Sequence, residues 1–163
     1  MNNSKLHLSD KVNYITLDSF NALLEYFDER EFRPIDSFDV NMIIKISYYL
    51  ALRVNEALRL KKEDFDLELL EVDLGHTKTE EMGKATIPPD FKEELEAYLD
   101  SKSSGYLFVN RHSGKLIARQ TVWKWLMEAG KYLNIPALTT PQAKTHEKTK
   151  THLFRKSIGK DML

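Results

Sequence analysis

The chain has 163 residues, 42% of them apolar and 30% charged, with a formal net charge of −1, which suits a single globular domain with one core. It has no cysteine, so a disulfide scaffold, a thiol nucleophile and a cysteine-based zinc site are excluded. No run of about 18 apolar residues marks a transmembrane helix, and Met1–Lys5 lacks the apolar stretch of a signal peptide, so a cytoplasmic location is expected.

Thr16 suits a helix N-cap, and Leu17, Phe20, Leu24 and Phe27 then recur at +3, +4 and +3, which predicts a helix with that apolar face. Glu29–Ser37 contains Pro34 and reads as a loop. Val40, Ile43, Ile44, Ser47 and Leu50 predict a central, strongly apolar core helix, which Ala51–Leu60 continues. Lys61–Asp66 breaks the apolar period. Leu69–Leu74 and Lys84–Ile87 predict two strands of a β-hairpin, whose long polar connection holds Gly75 and Gly83. Pro88 and Pro89 end the second strand and open a helix, with Phe91, Leu95, Tyr98 and Leu99 as its buried face. Tyr106–Val109 reads as a short strand. Val122, Trp125, Leu126, Ala129, Tyr132 and Leu133 mark another amphipathic helix. Residues 134–150, rich in Thr and Lys with two prolines, predict a mobile loop, and a last helix begins at Thr151. The fold class is α+β, mainly helical, with a small antiparallel sheet.

The near-neutral charge hides an asymmetry. Residues 1–100 carry 12 Lys+Arg against 22 Asp+Glu, a net of −10, and residues 101–163 carry 12 against 3, a net of +9. Such a split points to a polyanion partner on the basic side; the plainer reading is a solvated basic face.

Gly-rich phosphate loops, the G-x-S-x-G elbow and H-E-x-x-H are all missing. The five histidines (His7, His76, His112, His146, His152) show no ligand spacing, so no metal site is expected. Three features carry chemistry. Arg53 stands at the end of the apolar helix with Glu56 three residues on, sharing its face. An arginine seldom packs without a partner, so Glu56 is expected to hold it in place; an ordinary salt bridge is the plainer reading. His152 and Arg155, after the cap candidate Thr151, share one side of a helix. An arginine fork grips phosphate oxygens in pairs, and a neighbouring histidine donates a hydrogen bond or moves a proton; a solvated helix end with two cations is the plainer reading. Lys78, in Thr77-Lys78-Thr79 on the hairpin connection, can reach a neighbouring groove to pair with phosphate or protonate a leaving oxygen; a turn lysine kept for solubility is the plainer reading.

Order and spacing join the three: Arg53 to Lys78 is 25 residues, and Lys78 to Arg155 is 77. From about Tyr14 onward the chain resembles the catalytic domain of the tyrosine recombinase (phage integrase) family. Arg53 matches the arginine of the family's G-L-R-x-x-E box, with Ala51 where glycine is usual, and Glu56 matches its acidic residue. Lys78 matches the hairpin lysine, Lys84–Pro88 the return strand, and His152 with Arg155 the H-x-x-R box. The resemblance implies a DNA breaking-and-rejoining fold over residues 14–163, after a lead-in of residues 1–13. It implies site-specific DNA recombination or integration through a 3′-phosphotyrosyl intermediate, without metal or other cofactor. Arg53 and Arg155 would clamp the scissile phosphate, Lys78 would protonate the leaving 5′-oxygen and His152 would support proton transfer. Double-stranded DNA is the implied partner, with further copies of the chain assembled on it and no membrane; Lys84, Arg119, Lys124 and Lys131 are further candidate DNA contacts.

The family's nucleophilic tyrosine follows H-x-x-R by a few tens of residues. Here all seven tyrosines precede it, so the catalytic domain reads as incomplete at its C-terminal side and inactive for cleavage by itself. Two other readings fit the residues. A catalytically inactive DNA-binding module regulating recombination would keep Arg119, Lys124 and Lys131 without needing the four catalytic positions to converge. A protein-interaction domain would suit the acidic first hundred residues.

Overall fold

The computed structural model describes residues 15–75 and 83–139. Helix α1 spans Leu17–Asp28, and Thr16 caps it as predicted, its Oγ1 accepting the Ser19 N–H at 3.1 Å. The buried face is Phe20, Leu23 and Phe27. Leu17, at the open first turn, is exposed, and Leu24 lies only partly covered at the rim of the core.

Helix α2 spans Ser37–Tyr49, and its N-cap Asp36 accepts the Asp39 N–H at 3.1 Å. Its burial is wider than the one-sided stripe predicted: Met42 and Ile46 are as enclosed as Val40, Ile43 and Ile44. The cause is that α1 packs on one side and a second short helix on another. The buried Ser47 hydroxyl donates to the Ile43 carbonyl at 2.8 Å, so this polar group costs little inside the core. The chain does not stay helical through Leu60. It breaks after α2 and restarts as α3, Val54–Leu58.

The hairpin is present, with a third strand. β1 (Phe65–Asp66), β2 (Glu71–Asp73) and β3 (Lys84–Thr86) form an antiparallel sheet in that order. Its registers are Phe65↔Val72, Val72↔Ala85 and Asp73↔Lys84. Val72 and Ala85 turn to the core, and the flanking Glu71, Asp73, Lys84 and Thr86 turn outward. β1 comes from the segment that breaks the apolar period. Asp66 Oδ1 accepts the N–H groups of Glu68 and Leu69 at 3.1 and 3.0 Å, and this local turn folds the strand back onto β2. Tyr106–Val109 forms no strand; Tyr106 bridges Lys61 and Val109 bridges Leu116, each with a different partner.

A 3₁₀ turn at Pro89–Phe91 leads into α4, Lys92–Asp100, whose buried residues Phe91, Leu95, Tyr98 and Leu99 are those predicted. Helix α5, Arg119–Leu133, buries Val122, Leu126 and Ala129, but Tyr132 is 71% exposed. It stops at Asn134 in the left-handed region (φ 58). The segment read as a loop begins instead with α6, Pro136–Thr139, which buries Ala137 and Leu138 against α5. A Cβ at Gly130 would lie 2.6 Å from the Leu138 Cβ, so glycine permits this close approach. The rest of that segment and the helix expected from Thr151 lie outside the described residues. Among the described residues no helix is long and apolar enough to cross a membrane.

A buried polar cluster ties α4 to α2. The Tyr98 hydroxyl donates to Asp39 Oδ1 at 2.7 Å, and Lys102 Nζ reaches the same oxygen at 2.6 Å. Burial first, then the hydrogen bond to Asp39 and its negative charge, push the Tyr98 phenol far above its ordinary 10.0. Tyr98→Phe should therefore cost about 1.5–3 kcal/mol, the range for hydrogen bonds to charged groups, in denaturant unfolding near neutral pH. The folded state holds the phenol proton more tightly than the unfolded chain does. This contribution is whole below about pH 10 and fades above it, by up to about 1.4 kcal/mol per pH unit. The stability gap between wild type and Tyr98→Phe should thus shrink above that pH; a gap constant through pH 11 would contradict the assignment.

Candidate functional site

Arg53 sits at a backbone reversal between α2 and α3. Ala51 takes φ 55, the left-handed region. The Leu52 N–H then donates to the Ser47 carbonyl at 2.9 Å and the Ala51 N–H to the Tyr48 carbonyl at 3.4 Å. This is the Schellman pattern, which closes a helix end and favours glycine at the left-handed position. Here alanine holds it, at a cost of about 1–2 kcal/mol for the crowded Cβ. Leu52 and Val54 are fully buried on either side of Arg53. They pin the backbone while the extended Arg53 (φ −69, ψ 146) directs its side chain to the exposed face.

Glu56 acts on a different atom from the one expected. Its Oε1 accepts the backbone N–H of Arg53 at 2.8 Å, and no guanidinium–carboxylate pair joins the two among the described residues. The reason is that Arg53 is the N-cap of α3, not a residue within a helix, so the carboxylate three residues on reaches back to its N–H, as in a capping box. Glu56 therefore fixes where Arg53 stands and leaves its guanidinium available.

Lys78, His152 and Arg155 lie outside the described residues. The hairpin that flanks Lys78 is held on both sides: the Leu74 N–H donates to Gly83 O at 2.9 Å, and Asp73 Oδ1 accepts the Gly75 N–H at 2.8 Å. Lys84 is exposed and pairs with Glu71 at 3.5 Å. It shares an outward depression with Glu63, Asp64, Asp66, Glu68 and Asp73. Arg119 is the first residue of α5 and is partly buried, whereas Lys124 and Lys131 are exposed on the same helix. α5 packs against α3, so one helix braces the Arg53 turn and carries these three cations. Tyr48 stacks on Phe20 with ring centroids 3.9 Å apart, and Tyr49 packs on Phe91 at 4.7 Å; both serve the core.

Two exposed cations escaped the sequence reading. Arg33 and Lys115 line one groove beside the start of α5. The turn residues Asn110 and Gly114 are the signal that marks the loop carrying Lys115.

A sequence model of the Phage integrase family matches residues 13–163. A tyrosine recombinase of Thermosipho africanus is 27% identical over 149 residues, which cover 90% of this chain and 49% of that protein. Tyrosine recombinase XerA of Thermococcus kodakarensis is 32% identical over 122 residues, 72% of this chain and 42% of XerA. The chain thus spans about half the length, or less, of these curated relatives. Among solved structures, the XerH site-specific recombinase bound to difH substrate, in a pre-cleavage complex, matches with a TM-score of 0.62 at 21% identity. That match covers 92% of this chain and 42% of XerH, and the likeness is one of fold.

The strain at Ala51 yields a direct test. Ala51→Gly should stabilise the chain by about 1 kcal/mol, the relief of the crowded Cβ less the extra freedom glycine has when unfolded. Denaturant midpoints measure it; a loss of stability would mean that the turn is not the strained Schellman end described.

Proposed function

The chain belongs to the phage integrase family, and we propose that it supplies the phosphate-binding part of a tyrosine recombinase active site acting on double-stranded DNA. The observation that carries this reading is the seat of Arg53. Two buried neighbours, a Schellman turn and the Glu56 carboxylate fix its backbone, while its guanidinium faces outward without an acidic partner among the described residues. A cation held this way is preorganised: it gains little from its own protein and much from an incoming anion.

In the proposed reaction a tyrosine Oη attacks phosphorus and forms a phosphotyrosyl bond while its hydroxyl proton passes to the His152 imidazole. The bond from phosphorus to the 5′-oxygen breaks, and that oxygen takes a proton from Lys78. Extra negative charge gathers on the phosphate oxygens in the transition state. Arg53 and Arg155 stabilise it there more than in the ground state, with His152 as a further donor. Because the cleaved bond's energy is kept in the covalent link, the strands can be rejoined. All seven tyrosines of these 163 residues precede Arg155, and none is assigned here as the nucleophile. These residues alone are proposed to bind DNA without cleaving it, and further copies of the chain are proposed to assemble on the same DNA.

Duplex binding across a salt series tests the reading. Each phosphate contact contributes about −0.9 to the slope of log K against log salt. Arg53→Ala combined with Arg155→Ala should make the slope shallower by about 0.9, the share of the one phosphate they clamp, and weaken binding, with helical content preserved by circular dichroism. An unchanged slope would place the DNA contacts on the α5 cations instead and favour a regulatory module. No binding by the wild type would remove the DNA reading altogether.

A further inference from the structure

The tight turn from Val109 to Leu116 is built more rigidly than its exposure suggests. The Asn110 N–H donates to Lys115 O and the Gly114 N–H to Asn110 O, both at 2.8 Å. The Asn110 side chain accepts the N–H groups of His112 and Ser113 at 2.8 and 3.1 Å. The turn is also clamped to the loop between α1 and α2. Arg111 donates from Nε to Arg33 O at 2.8 Å and from its terminal nitrogen to Phe32 O at 2.7 Å. The Arg111 backbone N–H adds a bond to Pro34 O at 2.8 Å, and the His112 ring sits 3.1 Å from Arg33 O. Arg111 is thus consumed in holding two loops together, and what they hold between them is an open groove of about 620 Å³.

The groove's chemistry is one-sided. Arg33, His112 and Lys115 line it with Ser113 and Thr121, and no carboxylate does. Among the described residues neither Arg33 nor Lys115 has an acidic partner. By contrast, the depression beside the sheet is lined by Glu63, Asp64, Asp66, Glu68, Glu71 and Asp73, with Lys84 as its single cation. Unpaired cations on a braced frame lose little freedom when they meet an anion, and phosphate contacts of this kind fix the register of a protein on a duplex.

We infer that this groove is a second contact for the DNA phosphate backbone, separate from the Arg53 site, with Arg33 and Lys115 as the contacting cations. The inference rests on the proposed DNA-binding function and adds residues to it that the family motifs do not mark.

The test is the salt dependence of binding to a duplex of unrelated sequence, using the whole chain. Arg33→Ala combined with Lys115→Ala should make the slope shallower by about 1.8, the share of two phosphates. Both side chains are exposed, so folding should be retained, and Lys115→Glu alone should weaken binding further by placing a carboxylate in the groove. Lys61→Ala with Lys92→Ala removes the same charge elsewhere and should leave the slope nearly unchanged. If the Arg33/Lys115 pair leaves the slope of a binding-competent chain unaltered, or if the control pair lowers it equally, the groove is no contact and the inference falls alone. If the wild type does not bind duplex at all, the functional proposal falls with it.

Discussion

The left-handed turn at Ala51 is the constraint on which the arrangement depends. It ends a helix buried on almost every side and aims Arg53 away from the core while Leu52 and Val54 go into it. Had α2 run on into residues 51–60, one face of that buried helix would have carried both Arg53 and Glu56. An arginine buried there would need a paired carboxylate. The reversal avoids this. Glu56 is used on the backbone N–H, and α3 then packs on both α2 and α5. One alanine accepts strain so that one arginine stands fixed and unpaired, the usual association of backbone strain with a site held by its surroundings.

The second organising quantity is charge. The acidic excess of the first hundred residues is gathered in part around the sheet, where six carboxylates line one depression. Among the described residues, part of the basic excess that follows appears on α5 and on the turn before it, where the groove lining holds cations and no carboxylate. Fields of opposite sign on different surfaces orient a polyanion before any contact forms. Lys84 shows the consequence at the residue level. It matches the return strand of the family motif, yet its nearest ionic partner is Glu71 across the sheet, so part of its charge is already answered.

Much of this was readable in the chain. Thr16 and the spacing of Phe20 and Phe27 mark the first helix start and the first buried face, because caps and a 3.6-residue period leave local traces. The face of α4 was equally legible. The break at Ala51 was not, since alanine conceals what glycine would have announced; only its place in the G-L-R-x-x-E box hinted at it. β1 is two residues long, too short for alternation to appear. Tyr132 fits the helical period but meets solvent, because periodicity cannot say how far the neighbouring elements extend. For the site, the identity of Arg53 and Glu56 was legible, and the atom that Glu56 binds was not. Lys78, His152 and Arg155 rest on order and spacing alone and lie outside the described residues. Asn110 and Gly114 mark the turn that carries Lys115, but its meeting with Arg33 in one groove was not legible, because what brings them together is Arg111 bonding to backbone carbonyls, and carbonyl acceptors leave no mark in a sequence.

Arg53 is proposed as a preorganised phosphate ligand that shares its anion with Arg155. A crystal structure of the chain bound to duplex DNA tests it most directly. The account predicts the Arg53 and Arg155 guanidinium groups on oxygens of one phosphate, at about the 2.7–2.9 Å typical of charge-assisted bonds, with Glu56 still on the Arg53 N–H. Arg53 turned to solvent, or the two arginines on different phosphates, would contradict it.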